Sequence, residues 1–245
     1  MCRMLGIASR VPIPAAVLLE FRALSRVGKV PADFGCGPAA KSGHPDGWGI
    51  AATSAATEVY RRSGLDAATD AGYEKAVREV ALLPAPVIAV AHVRRVLDPD
   101  LVGETHSMPF RRESGGSVHY FAWDGSIEKY GVGDGGTDAR WVWEAFAELA
   151  SPYTPPALTS TLAARRDAAQ KAFPRRLSSL TAIVTDGHTL LAHRDGGTCP
   201  LYFTLHLGTS KDMSLISSQV LDAVPARWRL LRNGESVAVT APAPK

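Results

Sequence analysis

Residues 1–10 read MCRMLGIASR: a cysteine directly behind the initiator methionine, then an apolar run whose pattern is that of a β-strand. A thiol attacks as a thiolate, and a free cysteine with a pKa of about 8.5 is only partly ionised at neutral pH. If Met1 is removed, Cys2 acquires an α-amine titrating near 7.7–8.0, within one or two atoms of its own sulfur. One residue then carries both nucleophile and base. The bland alternative is a small apolar side chain buried at the head of a strand. The rest of the chain decides between the two.

Working outward, Pro12 and Pro14 punctuate the chain before AAVLLEFRAL, which has helical spacing. Residues 27–47 are rich in Gly and Pro and read as a long surface loop. WGIAAT (48–53) and EVYRR (58–62) read as paired strands, AGYEKAVREVALL (71–83) as an amphipathic helix and PVIAVAHVRR (86–95) as a buried strand. SVHYFAWDGS (117–126) is a strand running into a turn at Asp124-Gly125. TDARWVWEAFAELA (137–150) is a helix with Thr137 or Asp138 as N-cap. A Pro-rich joint leads to a further helix, LTSTLAARRDAAQKAF. LTAIVTDG, TLLAHRD, PLYFTLHL and MSLISSQ then read as a meander of short strands. Hairpin-like strand groups separated by helical blocks predict an α+β class with mainly antiparallel sheets. No internal repeat or domain boundary is visible, so residues 1–245 are read as one domain with 241–245 as a frayed tail.

Composition narrows the partners. The 245 residues are 46% hydrophobic and 21% charged, with a formal net charge of +3, and the arginine pairs are scattered, which argues against nucleic acid. No apolar run reaches the roughly 18 residues of a membrane span, and no signal-peptide pattern opens the chain, so a cytoplasmic protein is expected. The three cysteines, Cys2, Cys36 and Cys199, form no CxxC pair and are expected to act individually. His188 and His193 are the only histidines near metal-ligand spacing and are read as flanking a hairpin turn; no metal is expected. GVGDGG (131–136) satisfies GxGxxG, but no parallel βαβ unit surrounds it, so a flexible loop is the better reading than a dinucleotide site.

A set of motifs in order remains: MCRMLG, HPDGWGIA (44–51), AHVRR (91–95), MPF (108–110), FAWDGSI (121–127) and GTDAR (136–140). This set resembles the class II glutamine amidotransferases, in particular the stand-alone branch that includes the ergothioneine-pathway γ-glutamyl amidohydrolase. ISSQVLDAVPARWRLLRNGES resembles that branch's C-terminal strand pair. The resemblance implies a four-layer αββα sandwich of antiparallel sheets, the N-terminal-nucleophile hydrolase fold, with most site motifs within residues 2–150. It implies Cys2 as nucleophile, Gly125 as an oxyanion-hole N–H donor, Arg94 as the grip on the substrate α-carboxylate and Asp138 as the acceptor of its α-ammonium. It also implies Gly47 and Trp48 at the rim of the pocket.

Two departures stand out against that family. The usual HNG is Trp123, Asp124 and Gly125 here, so a carboxylate replaces an amide that donates to the oxyanion, a donor worth about 2.7–4 kcal/mol. Asp124 is then either protonated and donating, or turned to another partner while Gly125 acts alone. Where the family reads NTHPF, alignment on Pro109-Phe110 gives His106, Ser107 and Met108, leaving Ser107 as the hydroxyl for the substrate carboxylate; a two-residue slip gives Thr105 and His106 instead.

The resulting expectation is an amidohydrolase that cleaves a γ-glutamyl amide through a Cys2 thioester without a cofactor, since thiol, amine and oxyanion donors suffice for acyl transfer. With no fused synthase domain, it works as a stand-alone hydrolase or hands ammonia to a separate synthase subunit. The alternative is an amidotransferase-like binding or partner subunit impaired by Asp124.

Overall fold

The computed structural model describes residues 2–37, 42–55, 57–96, 98–114, 116–128, 137–146, 154–174 and 177–240. The GVGDGG and terminal APAPK segments lie outside the described residues.

Two antiparallel sheets form the centre. The larger has the order β11-β9-β10-β1-β4-β2-β3. Its members are β1 (Cys2–Ser9), β2 (Trp48–Ser54), β3 (Thr57–Ser63), β4 (Val87–Arg94), β9 (His206–Thr209), β10 (Met213–Ser217) and β11 (Arg227–Leu230). The smaller, β12-β8-β7-β6-β5, comprises β5 (Phe110–Ser114), β6 (Ser117–Asp124), β7 (Thr181–Thr185), β8 (Thr189–His193) and β12 (Ser236–Thr240). β1 and β4 are central and buried on both faces, which is why they read as near-continuous apolar runs.

Strand alternation sorts these side chains into three layers of core. From β1 and β4, Met4, Ala8, Ile88 and Val90 meet Ala122, Ile183, Leu190 and Ala192 of the second sheet. The opposite positions, Leu5, Ile7, Ala89, Ala91 and Val93, pack with Trp48 and Ile50 under α1 (Ala15–Val27) and α2 (Ala71–Ala81). On the far side of the smaller sheet, Phe121, Trp123, Ala182 and Val184 pack under α3 (Asp138–Glu144) and α4 (Pro155–Ala172). The layers therefore run helix, sheet, sheet, helix, as expected. Helix starts follow capping rules: the carboxylate of Asp70 accepts from Gly72 N, and the hydroxyls of Thr137 and Thr154 accept from Arg140 N and Ala157 N.

Several expectations are corrected. The residues 27–47 connection is not merely a surface loop: Val30, Pro31 and His44 are buried, and a short 3-10 turn spans Pro31–Phe34. PLYFTLHL forms a strand only from His206, because the preceding carbonyls turn inward: the Arg194 guanidinium donates to Pro200 O, Phe203 O and Leu231 O. The two C-terminal strands do not pair with each other, since β11 joins β9 and β12 joins β8 in the other sheet. His193 ends β8 rather than flanking its turn, and its ring meets Ser236 Oγ at 2.8 Å. Cys36 and Cys199 form a disulfide, so these two cysteines do not act individually and only Cys2 is free. Among the described residues no helix is long and apolar enough to cross a membrane, and no cluster of His, Cys, Asp and Glu could hold a metal ion.

Candidate active site

β1 and β4 pair in a register that sets Cys2 opposite Arg94 and Met4 opposite His92. Met4 faces the second sheet, so by two-residue alternation Cys2, His92 and Arg94 share that inner face. On β6, Ala122 faces inward, and Asp124, two residues on, does the same. Four polar positions from three strands thus converge at one end of the gap between the sheets. Cys2 is 4% exposed and belongs to the buried cluster that includes Met108, Phe110 and Trp123.

The backbone N of Cys2 donates to Asp124 Oδ1 at 2.8 Å, and Asp124 Oδ2 lies 3.9 Å from the Arg3 guanidinium, both side chains 1% exposed. Burial pushes the Asp124 carboxyl up, opposed by Arg3 and the Cys2 N–H. Both carboxylate oxygens thus face donors, so Asp124 is turned to the nucleophile's own nitrogen. Burial likewise pushes the Cys2 thiol up, with the Asp124 charge adding to it; Arg94 and the Arg95 backbone N–H act against that.

Arg94 is 7% exposed and donates to Leu101 O at 2.5 Å. Burial lowers its pKa, while Cys2, Asp138 and Asp46 hold the charge in place. Its backbone is laced to the 46–47 turn: Arg94 N donates to Gly47 O and Asp46 N to Arg94 O. Gly47 has a φ of 132°, and a Cβ there would come within 2.5 Å of Ser107 Oγ, so the turn requires glycine. Asp138 opens α3, where Oδ2 accepts from Ile127 N at 2.9 Å and Oδ1 from Ala139 N at 2.8 Å; burial raises its pKa against these bonds and Arg94. Gly125 follows β6, and a Cβ on it would stand 2.2 Å from Ser179 O, so no other residue fits the turn that leaves Asp124.

Two sequence-predicted residues stand apart from this group. Trp48 pairs with Val93, on the face opposite Arg94; its indole N–H donates to Asp70 Oδ2 at 2.9 Å and its ring meets Tyr73 edge-on, inside the core beneath α1 and α2. The Ser107 hydroxyl is buried and oriented toward the carbonyls of Ser63 and Gly103, which closes the loop leading to cis-Pro109. His106, by contrast, has its pKa lowered by burial and by Arg94 and Arg140, which places it in the electrostatic field of the site.

Sequence reasoning passed over Arg3, Tyr202 and His92. The Arg3 guanidinium lies 3.9 Å over the Tyr202 ring and donates to Tyr202 O and His44 Nε2, while Tyr202 OH donates to Cys2 O. The signal for Arg3 was in the opening stretch, since a charge inside a buried strand must have a partner. His92 is fully buried; burial, then Arg94, pushes its pKa down to about 3, so the ring is neutral.

No curated protein matches the chain. Among solved structures, the glutamine phosphoribosylpyrophosphate amidotransferase of B. subtilis, complexed with ADP and GMP, aligns over 98% of this chain at a TM-score of 0.63 and 14% identity; the chain spans 47% of that protein. A glutamine aminotransferase class-II domain protein from Silicibacter pomeroyi aligns at a TM-score of 0.57 and 18% identity, covering 98% of this chain and 95% of that one. A predicted glutamine amidotransferase from Pseudomonas aeruginosa aligns at 0.50 and 17%, covering 98% of both chains. At these identities the likeness is one of fold, the N-terminal-nucleophile fold. The family described as glutamine amidotransferases class-II matches residues 1–207, and the chain belongs to that family.

Proposed function

We propose that this protein hydrolyses the γ-amide of glutamine or of a γ-glutamyl conjugate through a thioester on Cys2. In this reading, removal of Met1 frees the Cys2 amine. The amine takes the Sγ proton, the sulfur bonds to the γ-carbonyl carbon, and the oxyanion is met by the Gly125 N–H. Collapse breaks the carbon–nitrogen bond, the ammonium returns its proton to the leaving nitrogen, and water then cleaves the thioester to release glutamate. Arg94 takes the substrate α-carboxylate as a planar bidentate donor and Asp138 takes the α-ammonium. The released ammonia goes to solvent or to a separate synthase subunit.

The observation that carries this reading is the register of β1 on β4: it sets the free cysteine beside a buried arginine that is electrostatically coupled to both Cys2 and Asp138. Gly47 and the 46–47 turn brace that arginine, and the Ser107 hydroxyl, bonded to Ser63 O and Gly103 O, packs close against Gly47. The test uses protein whose N-terminus is verified as Cys2 by intact mass, incubated with glutamine and a panel of γ-glutamyl amides. Glutamate release, with loss of activity on labelling by a glutamine-analogue diazo ketone at Cys2, is expected. An unlabelled N-terminus and no glutamate would leave the impaired partner subunit as the answer.

A further inference from the structure

We propose that Asp124 and Arg3 form a charge-compensated positioning pair for the α-amine of Cys2, which makes the acid at 124 an orienting group for the base rather than a defective oxyanion donor. This deepens the reading above and rests on it.

The atom that becomes the α-amine when Met1 is removed is the Cys2 nitrogen, and it already donates to Asp124 Oδ1 at 2.8 Å. Asp124 reaches it from β6, across the gap between the sheets, at a position where strand alternation aims the carboxylate inward. A lone buried carboxylate would be costly and would tend to take up a proton. The Arg3 guanidinium, 3.9 Å from Oδ2 and equally buried, supplies the compensating charge. Arg3 is itself held over the Tyr202 ring and bonded to Tyr202 O and His44 Nε2, and Tyr202 OH holds the carbonyl of Cys2. The first residue of β1 is therefore clamped on both its nitrogen and its oxygen by one connected set of side chains.

The chemistry follows from when charge appears. As Sγ attacks the γ-carbonyl its proton passes to the amine, which becomes an ammonium 2.8 Å from a carboxylate. The carboxylate gains most at that moment, so it raises the amine's basicity and orients its lone pair toward the thiol. An acid that orients a base in a nucleophile–base–acid relay does the same. The ammonium then gives the proton to the leaving nitrogen, so no proton is lost or gained over the acylation. The other charged or titratable groups facing this point are Arg94 and neutral His92 from β4, Asp138 from α3, and Tyr202 and His44 from the flanking loops.

The test separates this pair from the reaction. Cysteine labelled with ¹³C in the protein lacking Met1 reports Cys2 through its titrating resonances, because Cys36 and Cys199 are joined in a disulfide and do not titrate. The Cys2 amine is expected to titrate at least one pH unit lower in Asp124→Asn than in the wild type; an unchanged or higher value overturns the pairing. Should that variant not fold, the wild-type titration decides: an amine pKa at or above about 8 supports the pair and any lower value overturns it. These readouts need no turnover, so they stand even if no γ-glutamyl amide is cleaved. Where substrate is cleaved, Asp124→Asn is expected to lower kcat at least tenfold with KM held, and its base limb to move with the amine; a gain in kcat overturns the proposal.

Discussion

Cys36 and Cys199, 163 residues apart in sequence, are joined by a disulfide that fastens the segment after α1 to the one carrying Tyr202. Cys199 packs with Tyr202 and Phe203 in a small cluster against Phe34 and Cys36. Closing so long a loop limits the unfolded chain, and loss of such a bond typically costs about 2–5 kcal/mol. Cys199→Ser is expected to lower the unfolding free energy by that amount, read from denaturant titrations, and reductant to bring the wild type to the variant's value. A wild-type midpoint indifferent to reductant would remove the crosslink from the native state.

Trp48 provides a separate check on where the pocket ends. Its indole is tied to Asp70 and Tyr73 on the helix-facing side of β2, away from the inner face that holds Cys2. Trp48→Phe is expected to cost about 1.5–3 kcal/mol of stability, chiefly the hydrogen bond to a carboxylate, with KM for a γ-glutamyl amide unchanged. Paired unfolding and steady-state measurements decide: a tenfold rise in KM at intact stability would move Trp48 into the substrate site.

Gly125 leaves no such separation between fold and site. A methyl group there meets Ser179 O and the Trp123 ring, at 2.2 and 2.6 Å. Gly125→Ala is expected to destabilise by about 1–3 kcal/mol through overpacking, and, where turnover is measured, to lower kcat roughly a hundredfold by displacing an oxyanion donor. Calorimetry and single-turnover kinetics on one preparation check both; a stable variant with normal kcat would exclude the N–H as donor.

What could be read in advance divides along sequence distance. The β2–β3 pair, α2, and the β4 and β6 strands announce themselves by local period and punctuation, and the motif set placed Cys2, Arg94 and Asp124–Gly125 at one site. The surroundings of Asp124 were not legible, because Arg3 lies more than a hundred residues away and faces it only after two sheets stack. The same holds for Cys36 and Cys199, and for β11 and β12, which are neighbours in sequence yet complete opposite sheets. Trp48 stands apart from the group because motif adjacency says nothing about face, and in a strand the next residue points the other way, while Ser107 lies in the loop before β5, where its bonds to Ser63 O and Gly103 O leave no local pattern in the sequence.

His92 makes the inner face testable by acid. Its folded pKa, near 3, lies below the unfolded value of about 6.5, so between those limits the unfolded chain binds the extra proton and stability rises with pH. The contribution is complete above pH 6.5 and is lost as pH falls toward 3, on the order of 5 kcal/mol in full. His193, lowered to about 4 by burial and Arg166, adds in the same direction; the raised carboxyls of Asp124 and Asp138 work against it, losing stability as pH rises through their folded values. These contributions cancel when wild type and His92→Gln are compared at each pH by urea unfolding. The difference between them is expected to climb from pH 3 to 6.5 and to stay level above. A difference that is flat through the acid window would mean that the imidazole is not held neutral between the sheets.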